Sequence, residues 1–161
     1  MGAISRTSSR FNEERGGKDQ AMTDALHFAA LQFTNEAFYS AFSARDVAAM
    51  EDLWDRDARS SCLHPGWGPL FGYDAILASW RDLFDSPNSP QINCQAPTVS
   101  VYGDLGMVVC FEALPGGYLM ATNGFIRRGA VWKMVHHQAG PTETTPPKLA
   151  GGGAGGSTAI N

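Results

Sequence analysis

The sequence has no cluster of lysine or arginine, and its formal net charge is −4. Attraction to phosphate dominates nucleic-acid binding, so no nucleic-acid partner is expected. No apolar run approaches the roughly 20 residues that a membrane helix needs, so no membrane partner is expected either. The opening MGAISRTSSRFNEERGG lacks the apolar stretch of a secretory leader, and Arg6 stands where a myristoylation signal wants Ser or Thr. Cysteine is scarce: Cys62, Cys94 and Cys110 are odd in number and widely spaced. They form neither a disulfide framework nor a zinc pattern, and reduced thiols in a cytoplasm are the expectation. There is no HExxH or HxH spacing, no GxSxG elbow, no phosphate-cradling glycine loop and no dinucleotide fingerprint. His64, His137 and Glu112 have the chemistry of a two-histidine, one-carboxylate site, but they lack a metal-site spacing, and adjacent His136 and His137 cannot both reach one ion from a strand. No metal and no cofactor is therefore expected.

What is present is an ordinary globular composition, 43% apolar and 17% charged over 161 residues. That suits one domain with a real core. Residues 1–22 are polar and read as a disordered tail, with Met22 a possible second start. Residues 142–161 turn Pro-rich and then Gly-rich, a flexible tail. The domain spans residues 23–141.

Within it, Asp24 to Ala44 is helical by pattern. Leu26, Phe28, Leu31, Phe33, Phe38 and Phe42 leave one narrow polar stripe through Gln32, Asn35, Glu36, Ser40 and Ser43, so the helix should be largely wrapped by its own protein. Asp46 caps a short second helix, Val47 to Trp54. ARSSCLHPGWGP reads as a short strand stopped by Pro65 and Gly66. A third helix covers about Tyr73 to Phe84. Four strands follow, near Ile92–Tyr102, Met107–Leu114, Tyr118–Arg128 and Val131–Ala139, joined by turns at GDLG, PGG and RRGA. This is an α+β pattern, a curved antiparallel or mixed sheet over a long helix, a cone able to enclose a pocket.

The segments FYSAFSARDVAAMEDLWDRDAR, CLHPGW, GYDAILASWRDLF and VWKMVHHQAGP, in this order, resemble the nuclear transport factor 2-like superfamily, and most of all its SnoaL-like members. The resemblance spans Asp24 to Pro141. Relatives in the superfamily include ketosteroid isomerase, polyketide cyclases, limonene epoxide hydrolase and the association domain of calcium/calmodulin-dependent protein kinase II, so the scaffold alone names no activity. It implies a pocket inside the cone and a homodimer through the convex sheet face. It also implies that His137 faces the pocket while His136, with Met134, lies at the dimer side.

The hairpin CFEALPGGYLMATN bears on the same pocket. With Gly116 and Gly117 as turn residues, Glu112 faces Ala121 and Cys110 faces Asn123. Those four then share one side with Val108 and Phe125. The resemblance to ketosteroid isomerase puts Asn123 at an oxyanion donor, His64 at the general base and Phe38 at a tyrosine donor whose hydroxyl is lost, which argues against a steroid isomerase. Glu112 in an apolar pocket should hold its proton unusually well. The expected catalytic set is His64, Asn123, Glu112 and His137. The expected ligand walls are Phe38, Trp67, Trp80, Phe84 and Phe125, suited to a small, largely apolar molecule. Two functions stay open: acid–base catalysis of the isomerase, cyclase, dehydratase or hydrolase type, and a non-catalytic ligand-binding or dimerisation module.

Overall fold

Leu31, Asn35, Phe38, Tyr39 and Phe42 recur at helical spacing and are all buried. That stripe is the inner face of a long helix, α1 (Ser5–Ala44), in a computed structural model that describes residues 5–56 and 59–148, with side chains from Gly16 onward. The remaining elements are α2 (Val47–Leu53), β1 (Ser61–Leu63), β2 (Leu70–Phe71), α3 (Tyr73–Asp85), β3 (Asn93–Tyr102), β4 (Leu105–Leu114), β5 (Gly117–Arg128) and β6 (Val131–Thr142). The α+β class and the mixed sheet are as expected, with β2 as an added short strand.

Two expectations about α1 need correcting. It is already helical at Ser5, where a tail was expected; once a helix is nucleated by its packed part, each further residue costs little to add. Residues 1–4 and 149–161 of the two expected tails lie outside the described residues. Nor is the helix wrapped on all sides: Leu26, Phe28 and Phe33 are exposed, while Asn35, assigned to the polar stripe, is buried at 1%. The face turned to the sheet is decided by which side chains meet it, and Asn35 finds polar partners there.

The six strands form one sheet in the order β2-β1-β6-β5-β4-β3. Only β1 and β6 run parallel; every other pair is antiparallel. The β4–β5 hairpin turns at Pro115 and Gly116, because Leu114 faces Gly117 and Glu112 faces Leu119. Gly116 has φ of 95°, the left-handed conformation that the residue after a turn proline needs in a type II turn. The expected turn, one residue later, is therefore wrong. The pairing moves by an even number of positions, so the faces survive: Val108, Cys110, Glu112, Ala121, Asn123 and Phe125 all point inward and are buried.

Strand β6 explains its histidine doublet. Trp132 and Met134 face inward, and strict alternation would send His136 after them. Between Gly124–His136 and Phe125–Met134 the register shifts, leaving Val135 as the extra residue of a β-bulge. After it His137 and Ala139 are the inward residues, and His136 is half-buried on the other face. The bulge also corrects the placement of Met134: it lies in the core, fully buried, on the face opposite His136.

Candidate functional site

A cavity of about 250 Å³ lies between α1, α3 and the inner face of the sheet. Its wall is mostly apolar, with Phe38, Phe42, Trp67, Trp80 and Leu119 among the lining residues. Four polar side chains reach it: Tyr39, His64, Glu112 and His137.

Each is positioned by a different element. Glu112 projects inward from β4 and is only 2% exposed. Its Oε1 accepts a hydrogen bond from the Tyr39 hydroxyl at 2.9 Å. Burial pushes the Glu112 carboxyl up to about 7, against the weaker opposing effect of the Tyr39 bond. Burial likewise raises the Tyr39 phenol, so it stays protonated as a donor.

His137 sits opposite Asn123 across β5 and β6, and its Nδ1 is 2.7 Å from Asn123 Oδ1. The Asn123 amide is oriented by its other end: Nδ2 donates to Asn35 Oδ1 at 2.8 Å and to Tyr39 Oη at 3.1 Å. Oδ1 is therefore the acceptor, and the His137 proton resides on Nδ1. Burial, reinforced by His64 and His136, holds His137 down to about 3, so the ring is neutral.

His64 follows directly after β1. A turn closed by the Trp67 N–H on the His64 carbonyl at 3.0 Å brings the Trp67 indole to 5.0 Å from the imidazole, ring centre to ring centre. Its Nε2 is 2.9 Å from Ser79 Oγ, and Ser79 donates its own hydrogen to the Ile76 carbonyl at 2.7 Å. Hence Nε2 of His64 carries the proton and Nδ1 the lone pair, with the Cys62 sulfur 3.7 Å from Nε2 and 4.0 Å from Nδ1. Burial lowers His64 to about 4. The two imidazoles stand 6.4 Å apart with Trp80 against both.

Of the expected catalytic residues, His64, Glu112 and His137 therefore share the cavity. Asn123 is adjacent to it but does not line it; its amide is committed to Asn35, Tyr39 and His137, which leaves no free donor for an oxyanion. Among the expected walls, Phe38, Trp67 and Trp80 line the cavity. Phe84 packs behind Phe42 and Trp80, and Phe125 is fully buried in the core beside Met134, so neither is a wall. Sequence reasoning missed Tyr39, Asn35 and Ser79. One residue after Phe38, Tyr39 brings a hydroxyl to Glu112. Asn35 and Tyr39, one helical turn apart on the buried stripe, were the available signal.

The two buried thiols, Cys62 and Cys110, are unsuited to nucleophilic work. Burial pushes the Cys62 thiol up to about 12, and Cys110 is raised by its contact with Cys94 and then by burial. Among the described residues, no group of three or more His, Cys, Asp or Glu side chains is gathered to hold a metal ion, and no helix is long and apolar enough to cross a membrane.

The SnoaL-like domain family matches residues 31–142, which covers α1 from its first buried leucine through the last strand. The chain belongs to the SnoaL-like family. Solved structures place this SnoaL-like domain in the nuclear transport factor 2-like superfamily. It is similar to a candidate dehydratase of the nuclear transport factor 2-like family from Streptomyces avermitilis, with 30% identity over 73% of this chain and 97% of that one and a TM-score of 0.67. It is also similar to a candidate calcium/calmodulin-dependent protein kinase type II association domain from Thiobacillus denitrificans, with 31% identity over 68% and 93% of the two chains and a TM-score of 0.63. A kinase hub from S. rosetta shares the fold at 21% identity over 71% and 95%, with a TM-score of 0.60. No curated protein matches the chain.

Proposed function

We propose that this SnoaL-like domain binds a small, largely apolar molecule and moves a proton to and from it. The carrying observation is the pairing, in one apolar cavity, of a carboxyl held near neutrality with two neutral imidazoles. A base and an acid whose proton affinities are separated by their surroundings are what isomerisation or loss of water requires. His64 acts as the base through Nδ1. Glu112, protonated, donates to the oxygen on which charge develops and so replaces Asn123 in that role. His137 orients the substrate. The similarity to a candidate dehydratase supports this class.

The test is deuterium exchange at carbons next to the carbonyl in a panel of small cyclic ketones, including 2-indanone, followed by proton NMR. Exchange faster than in buffer is expected, falling by about a hundredfold in His64→Ala and Glu112→Gln. A panel that exchanges no faster than in buffer would favour a second reading, an assembly module. That reading has its own support in the apolar outer face of β4, where Leu105, Met107 and Val109 are exposed, and in the similarity to the association domain. A homodimer through this convex face is compatible with either reading. Sedimentation should give a dimer that Val109→Lys dissociates, and a monomeric wild type would remove the module reading.

A further inference from the structure

No lysine or arginine lines the cavity. Several of the domain's cations are engaged elsewhere: Arg81 with Glu51, Arg127 with Asp104, Arg128 with Asp55 and Lys133 with Asp52. The imidazoles do not replace them, because burial keeps His64 and His137 neutral at physiological pH. The one ionisable group of the other sign, Glu112, adds negative charge whenever it loses its proton. An anion entering this space would give up its hydration and meet no countercharge, at a cost of several kcal/mol.

Hydrogen-bond polarity narrows the ligand further. The Nδ1 proton of His137 is committed to Asn123, and that amide cannot turn over without breaking its bonds to Asn35 and Tyr39. Nε2 thus presents a lone pair and has no hydrogen-bond partner among the described residues. An acceptor left dry and unpaired is costly, so a well-matched ligand brings a donor to it. The Tyr39 hydroxyl already serves Glu112 Oε1, which leaves the other carboxyl oxygen to address the ligand. The edge-on packing of Phe38 and Phe42 against Trp80 gives aromatic walls, and 250 Å³ lies below the ~300 Å³ at which ordinary ligand pockets begin.

We propose that the cavity selects an uncharged, hydroxyl-bearing ring compound of at most about two small rings, whose O–H donates to Nε2 of His137, and that it rejects carboxylates and other anions. This rests on the preceding reading for its cavity, but not for the proton transfer.

Calorimetric titration of the full chain at neutral pH with 4-ethylphenol, ethylbenzene and the 4-ethylbenzoate anion tests it. These probes share one ring and differ only in the group presented. The phenol should bind roughly three- to tenfold more tightly than ethylbenzene, the worth of one neutral hydrogen bond. It should bind at least about tenfold more tightly than the anion. In His137→Phe, which keeps a ring against Phe38 and Trp80, the advantage of the phenol over ethylbenzene should vanish while ethylbenzene still binds. If that variant does not fold, the wild-type series decides alone. A benzoate that binds as tightly as the phenol, or a phenol no better than ethylbenzene, overturns the ligand class and leaves the cavity reading standing. Failure of all three probes overturns both. Loss of ketone exchange with the phenol preference intact would remove the catalytic reading only.

Discussion

Glu112→Gln should make the protein more stable at alkaline pH and leave its acid stability nearly untouched. The Glu112 carboxyl has an ordinary value of 4.5 and stands at about 7 in the folded protein, chiefly through burial. The folded state therefore holds this proton more tightly than the unfolded chain does. Below 4.5 both states are protonated and the group contributes nothing. As pH rises from 4.5 through 7, the unfolded chain ionises first and the folded state loses ground. Above 7 the loss is complete. At 1.36 kcal/mol per pH unit, the gap amounts to about 3 kcal/mol. Glutamine keeps a carbonyl oxygen for the Tyr39 hydroxyl and does not titrate, so the variant escapes that loss. Urea unfolding of both proteins at about pH 4.5 and about pH 8.5 measures it. The difference between them should shift by about 3 kcal/mol in favour of the variant. His64 and His137, lowered to about 4 and about 3, destabilise both proteins alike as pH falls below 6.5 and cancel in the difference. Parallel stability curves would refute the claim that the carboxyl is buried and desolvated.

Asn123→Ala should cost at least about 2 kcal/mol by leaving His137, Asn35 and Tyr39 short of partners, and thermal unfolding reads the loss. The melting temperature would thus fall, whereas a surface-facing oxyanion donor would be removable at little cost. Gly106→Ala should cost about 1–3 kcal/mol, because the added Cβ would stand 2.5 Å from Leu31 Cδ2 and 3.2 Å from Trp132. Combining it with Leu31→Ala should give a non-additive cycle, the signature of direct contact.

The elements of the fold were legible because their signals are local. Asp46 accepts from the Ala49 N–H at the start of α2 as a cap should, and α3 begins at Tyr73 as its apolar stripe predicts. The inward set on β4 and β5 survived a misplaced turn because an even shift of register preserves faces. What stayed hidden depends on neighbours distant in sequence. The bulge at Val135 cannot be found by counting alternation within β6, since it exists only relative to β5. The inner face of α1 was misread because Leu26, Phe28 and Phe33 are as apolar as the residues that meet the sheet. Tyr39 was legible by spacing from Leu31 and Asn35, but the resemblance pointed to Phe38, one residue earlier. Asn123 was placed on the right face, but the partners of its amide were not legible, because one of them, Asn35, lies 88 positions away.

The arrangement stands or falls on the two imidazoles being neutral with fixed protons. Long-range proton–nitrogen NMR correlation of the histidine rings at neutral pH tests this directly. His137 should appear with its proton on Nδ1 and His64 with its proton on Nε2, both unchanged down to about pH 5. A protonated ring at neutral pH, or a proton exchanging between the two nitrogens of His137, would contradict the account.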